Sequence, residues 1–346
     1  MRYPLLTLSF LFLFGCSAVS HQEAEESAGG GGQAAASSEG GASPGSGGAG
    51  GTAENGEVGA EAPAFIATMT HLEGGWSYEG PQGDEKFAID VSKIQRGMGI
   101  FSELGAVMTV ESEIPFAKKA IATNSSIFTE LLDAGFGVGT HCDITPTLDL
   151  SAEEMAVEFS ARKAPMDTLI GASNNLGCSG GGTRSDWVTA AHLAGFKYIN
   201  GIVGFHYLPM GEEARPEGWT DDAIFKGGHY HDPSPVDLTH RMHPFMMADA
   251  SDFEPDEDGV ILANAGELGS LVKFSENELG EKCTKSCPLT TEDVDIAIDK
   301  IEQALSVRDA KRVFKVDVYM PLGLFVEKNR AVLSDFIGRV NSQFVE

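Results

Sequence analysis

From residue 63 onward, short apolar runs alternate with longer stretches whose apolar positions follow a helical period. Six runs, 64–70, 106–110, 136–140, 196–199, 260–264 and 313–319, have the length and the β-branched and aromatic content of strands. Between them, 91–103, 127–134, 152–170, 185–194, 291–307 and 331–344 read as helices. Asp90 and Ser151 stand where the first and third of these would be capped, and Thr290 or Thr291 with Asp293 opens the fifth. This alternation predicts parallel strands joined by crossover helices, in an α/β barrel or a doubly wound sheet.

Side chains two apart on a strand share a face. His71 and Glu73 stand at the end of the first run, His141 and Asp143 at the end of the third. On neighbouring parallel strands the two pairs meet at one rim, the C-terminal rim where barrel enzymes carry their sites, and offer four donors to a divalent cation. The second run ends in Glu111 and Glu113 at the same spacing. Glu111 either faces this mouth or caps the helix expected from about Pro115. His229 and His231 form a further alternating pair, readable as a chelating pair or as a solvated cluster. Six of the nine histidines lie between His192 and His243.

Composition changes the picture at the N-terminus. Residues 1–16 combine Arg2, an apolar stretch and Leu13-Phe14-Gly15-Cys16, and look like a bacterial lipoprotein signal with Cys16 as the lipidated residue. The apolar stretch is shorter than the roughly 20 residues that span a membrane as a helix. Residues 17–62 read as a linker, and from 21 to 62 they hold 13 glycines, seven glutamates and neither Lys nor Arg. Such a segment has little apolar surface to bury, so a disordered tether with an end-to-end distance of roughly 35 Å is expected. Residues 63–346 remain as one large domain without repeats. The expected location is outside the cytoplasm, held at a bacterial membrane by lipid alone.

Of the net charge of −27, the seven glutamates and Arg2 account for −6, which leaves −21 on the domain. Nucleic acid and anionic lipid surfaces are therefore poor partners, whereas neutral or cationic polymers fit this balance, and no nucleic acid is expected to bind. Four cysteines remain besides Cys16, and export makes disulfides the default. Cys283 and Cys287 are close enough in sequence to pair, leaving Cys142 for Cys178; a zinc site on Cys283 and Cys287 is the alternative. The bridge from Cys142 to Cys178 would hold the glycine-rich run 177–182 beside His141.

The order of a strand ending in an acidic motif, then Leu131-Leu132-Asp133-Ala134-Gly135-Phe136-Gly137-Val138-Gly139-Thr140-His141, then Gly195-Phe196-Lys197-Tyr198, resembles polysaccharide deacetylases of the glycoside hydrolase/deacetylase superfamily. The resemblance implies an irregular (β/α) barrel of about seven strands, one divalent metal, and removal of acetyl groups from amino sugars. His71-Leu72-Glu73 replaces the two adjacent aspartates of the first motif, and Thr145 stands where the second motif has its second histidine. Gly177-Cys178-Ser179-Gly180 occupies the region of the Arg-x-Pro motif, and Arg241-Met242-His243-Pro244 matches the last motif, which supplies a catalytic histidine.

Taken with these residues, the resemblance implies a carbohydrate deacetylase with zinc or a similar ion on His141, Asp143 and either His71 or Glu73. Glu73, or else Glu111, would take the proton of the attacking water, and His243 or His206 would protonate the departing amine. Trp76, Trp187, Trp219 and Tyr207 are the candidate sugar-stacking faces. Two other readings share the barrel: a sugar-binding surface protein without turnover, and a glycoside hydrolase using Glu73 with Glu111 or Asp143 as paired carboxylates.

Overall fold

The computed structural model describes residues 61–73, 78–272 and 289–344. Nine strands make one sheet: β1 Ala64–Leu72, β2 Thr109–Ser112, β3 Gly137–His141, β4 Gly177–Ser179, β5 Tyr198–Asn200, β6 Phe245–Met247, β7 Ile261–Ala263, β8 Glu267–Ser270 and β9 Phe314–Tyr319. Their order is β6-β7-β5-β4-β3-β2-β1-β9-β8. Every pairing is parallel except β6 with β7. The nine described helices are α1 Gly80–Glu103, α2 Ile114–Ala122, α3 Ile127–Asp133, α4 Ala152–Ile170, α5 Trp187–Leu193, α6 Asp221–Lys226, α7 Leu238–Met242, α8 Thr291–Leu305 and α9 Arg330–Phe344. The fold is an irregular (β/α) barrel. Among the described residues no ladder joins β8 to β6, so its wall has a seam.

All six expected strands form, and β4, β6 and β8 are added to the number expected. Strands of three or four residues carry no readable alternation, and glycine weakens the signal further in β4 and β8. The cap expected at Asp90 is a correction. Helix α1 starts at Gly80, eleven residues earlier than expected, with Pro in its first turn, and Asp90 lies inside it, 2% exposed. There it accepts from Tyr78 Oη at 2.8 Å and from Lys86 and Lys93 Nζ at 2.5 and 2.9 Å. Ser151 does cap α4, accepting from Glu154 N while Glu154 reaches back to Ser151 N, and Thr290 caps α8 with Asp293 in the same way.

The alternation of the strands separates two environments. Outward residues such as Val110, Val138, Val316 and Val318 pack against the helices in a large apolar cluster, and Ile199, Ile261 and Ala263 belong to a second cluster with α4 and α5. Inward positions carry His71, Glu111, Asn200, Glu267, Lys315 and Asp317, so the barrel interior is polar. Strand β3 has glycine at both inward positions below His141. Gly139 lies opposite Glu111 in register, and a Cβ there would press on its side chain; one on Gly177 would overlap the Tyr198 ring. These glycines leave the interior open to the side chains of β2 and β5.

Candidate functional site

The four paired residues do come together, but not on neighbouring strands as expected: β2 lies between β1 and β3, and the pairs meet across the barrel mouth. His71 is opposite Glu111 on β2, and His141 is opposite Ser179 on β4. The two imidazoles stack with centroids 3.9 Å apart. Glu73 Oε1 lies 2.9 Å from His71 Nδ1 and 3.4 Å from His141 Nε2, and Asp143 Oδ2 is 3.3 Å from the same Nε2. Donor atoms of Glu113, His141 and Asp143 lie within 4.8 Å of one another, as do those of His71, Glu73 and His141. Glu113 is the donor that sequence reasoning passed over. It stands at the N-cap of α2 just beyond β2, and its spacing from Glu111 was the available signal.

The two histidines differ in what surrounds their nitrogens. His141 Nδ1 is hydrogen-bonded to Ser179 Oγ at 2.7 Å, which turns Nε2 towards the carboxylates. That Nε2 is buried and makes no hydrogen bond among the described residues. His71 faces a carboxylate on each side, with Nε2 3.2 Å from Glu111 Oε2. Burial opposes a charge on His71, but Glu111 and Glu73 outweigh it and lift its pKa to about 10. Burial likewise opposes charge on Asp143, and the His141, His71 and His231 imidazoles outweigh it and hold the carboxyl well below its ordinary range. Glu73 is also lowered, with burial opposed by the His71 hydrogen bond and the two imidazole charges.

A cavity of about 720 Å³ opens over this cluster. Gly180 and Gly182 are required where they stand. A Cβ on Gly180, whose φ is +74°, would collide with Asp143 Oδ1, and one on Gly182 would press on His206 at 2.8 Å. The Cys142–Cys178 disulfide forms as expected. Both cysteines are fully buried on the outer face, while His141, Asp143 and Ser179 beside them point inward. Cys283 and Cys287 lie outside the described residues, as do Cys16 and Trp76.

Several expected roles do not match the positions found. Glu111 is 1% exposed beneath His71, accepting from Asn200 Nδ2 at 2.6 Å; it neither caps α2 nor reaches the cavity as a base. His243 is fully buried at the far end of β9, against Phe314, roughly 16 Å along the strand from Tyr319. Its Nδ1 donates to Thr239 O at 2.6 Å and its Nε2 accepts from Asp309 N at 2.9 Å, so it is no proton donor to this cavity. His206 lines the cavity, but Val203 N donates to its Nδ1 and its Nε2 donates to Gly180 O. Burial pushes its pKa down to about 4, which keeps it neutral.

Trp187 and Tyr207 are core residues, and Trp219 stacks on His229. Instead Phe205 and Tyr230, stacked 5.8 Å apart, line the cavity with His231. His229 and His231 sit on a 3₁₀ turn, and His229 is paired with Asp232 at 2.8 Å. Tyr319 completes the wall, its ring 4.8 Å from that of His71, and burial lifts its phenol above the ordinary value.

No protein-family model matches the sequence, and no curated protein matches it. Solved structures do. A protein from Mycobacterium smegmatis, provisionally assigned as a polysaccharide deacetylase, superposes over 82% of this chain and 86% of its own at 11% identity, with a TM-score of 0.52. A protein from Parabacteroides distasonis, provisionally assigned as a glycoside hydrolase/deacetylase, does so over 82% of this chain and 68% of its own at 9% identity, with a TM-score of 0.50. The fold is thus polysaccharide deacetylase-like.

Proposed function

We propose that this chain is a metal-dependent hydrolase that removes acetyl groups from the amino sugars of a carbohydrate polymer. The observation that carries the reading is His141: its Nδ1 is pinned by Ser179, and its buried Nε2 faces Glu73, Asp143 and Glu113 without a hydrogen bond. A buried nitrogen ringed by carboxylates calls for a cation, and nitrogen with oxygen donors suits zinc, manganese or iron. His141, Asp143 and Glu113 would hold it. His71 is the weaker ligand because each of its nitrogens is already turned to a carboxylate. When bound, the ion would supply a polarised carbonyl and a water acidified towards neutrality.

The remaining roles belong to the chain. Glu73, ionised and held by His71, takes a proton from the water as its oxygen attacks the acetyl carbon. Glu111 and Asn200 fix His71 from below, and through it Glu73. The stacked rings of Phe205 and Tyr230 offer the apolar face of a pyranose a surface on the cavity wall.

The test is elemental analysis of the purified chain, with acetate release from an N-acetylated oligosaccharide measured before and after chelation. About one metal per chain and chelator-sensitive release are expected. His141→Ala and Asp143→Ala are each expected to lose the metal while keeping the circular dichroism of the parent. Normal metal content in both variants would reject the site. We also propose that Cys16 is lipidated and tethers the domain to a membrane.

A further inference from the structure

Cleaving an amide needs a proton on the nitrogen as it leaves, because an amide anion is too basic to depart. The histidines proposed from the sequence do not provide it: His243 lies at the opposite end of the barrel, and His206 has both nitrogens in contact with backbone groups. Glu267 is placed differently. It begins β8, points into the barrel beside β9, lines the cavity together with His71 and Tyr319, and is 8% exposed. Among the described residues its carboxyl makes no hydrogen bond, and its register partner Asp317 is a second buried carboxyl with one unpartnered oxygen.

We infer that Glu267 is the general acid of this site, delivering its carboxyl proton to the departing amine nitrogen. The inference rests on the proposed function. Lys315 on β9 is committed to Asp317 at 2.9 Å and to the carbonyls of Asn264 and Ala265, so Glu267 has no cation of its own. Burial lifts Glu267 to about 7, with Asp317 adding to the rise, while His71 from β1, Lys315 and Arg241 from α7 act against it. Tyr319, which also faces it, is raised and remains neutral. The carboxyl therefore keeps its proton up to about pH 7 and is still acidic enough to give it up.

The water oxygen bonds to the acetyl carbon as Glu73 accepts one of its protons. The C–N bond then breaks, its electron pair stays on nitrogen, and the Glu267 proton joins it. Acetic acid and a free amine result. The proton on Glu73 returns through solvent to Glu267, which restores both groups.

Leaving groups decide the matter. An aryl acetate expels a phenolate that needs no proton, whereas an N-acetylated chito-oligosaccharide expels an amine that does. With the full chain loaded with zinc, Glu267→Gln should lower kcat/KM on the oligosaccharide by about 10²- to 10⁴-fold and leave the aryl acetate rate close to that of the parent. The parent's amide rate should also fall as pH rises through about 7, while its ester rate does not. Should the variant not fold, that pair of pH profiles decides alone. Equal slowing on both substrates, or an unchanged amide rate, overturns the inference. A parent inert towards both substrates overturns the proposed function and this inference with it.

Discussion

Ser179 touches the candidate metal centre only through His141, and that makes it a sensitive probe at the level of single residues. Its hydroxyl fixes which imidazole nitrogen faces the carboxylates. Ser179→Ala should weaken metal affinity by about 10- to 100-fold, read by competition with a chromogenic chelator, while the melting temperature hardly moves. Gly180→Ala should do more damage, because its positive φ is unfavourable for alanine and the added carbon meets Asp143. A loss of at least about 1 kcal/mol in urea unfolding is expected, together with loss of the metal. The pairs at 71, 73, 141 and 143 were legible in the sequence because each ends a predicted strand, where alternate residues share a face. Glu113 was less so, since it stands between a strand and a helix. Glu267 was hidden because β8 has four residues and a register shift, so no alternation announced it. Histidine density around His243 misled because counting residues does not say which end of a barrel they reach.

At the scale of elements, caps and crossover helices were readable wherever polar and apolar positions kept a helical period. The start of α1 was not, because Gly80-Pro81-Gln82-Gly83 reads as a turn. The network this helix buries has a definite pH signature. Burial opposes the charged form of Asp90, but Lys86, Lys93 and Tyr78 outweigh it and lower its pKa from 3.8. The unfolded chain then takes up this proton first as pH falls. Its stabilisation is present above pH 3.8 and disappears as pH drops through the lower folded value. Asp90→Asn should therefore cost about 1–3 kcal/mol at neutral pH and progressively less in acid, measured by urea unfolding at a series of pH values. The Cys142–Cys178 bridge, with a sequence separation of 36, should contribute about 4 kcal/mol by restricting the unfolded chain. Replacing both cysteines by alanine and comparing urea midpoints checks this.

Across the whole molecule, the barrel divides apolar from polar material in an unusual place. Its outer wall is the hydrophobic core, and its interior is lined by charged and amide groups. The alternation of strands and helices predicted a parallel sheet, but nothing in that pattern distinguished a barrel from an open sheet; the resemblance around residues 131–143 made that choice. The strand total was underestimated because β4, β6 and β8 are short and lack the β-branched residues that marked the equally short β5 and β7 within longer apolar runs. Among the described residues no helix is long and apolar enough to cross a membrane. The proposed lipid attachment is tested separately: Cys16→Ser should move the protein from the membrane pellet to the soluble fraction of fractionated cells.

Cys142 stands between two of the proposed ligands, and its partner Cys178 adjoins the serine that orients one of them. For a chain exported as proposed, the bridge would form outside the cytoplasm, so the ligand frame would be less stable in the reducing compartment than after export. An ion met after export would be held the more firmly, and what is abundant outside the cell would weigh in the choice of metal beside the ranking of intrinsic affinities.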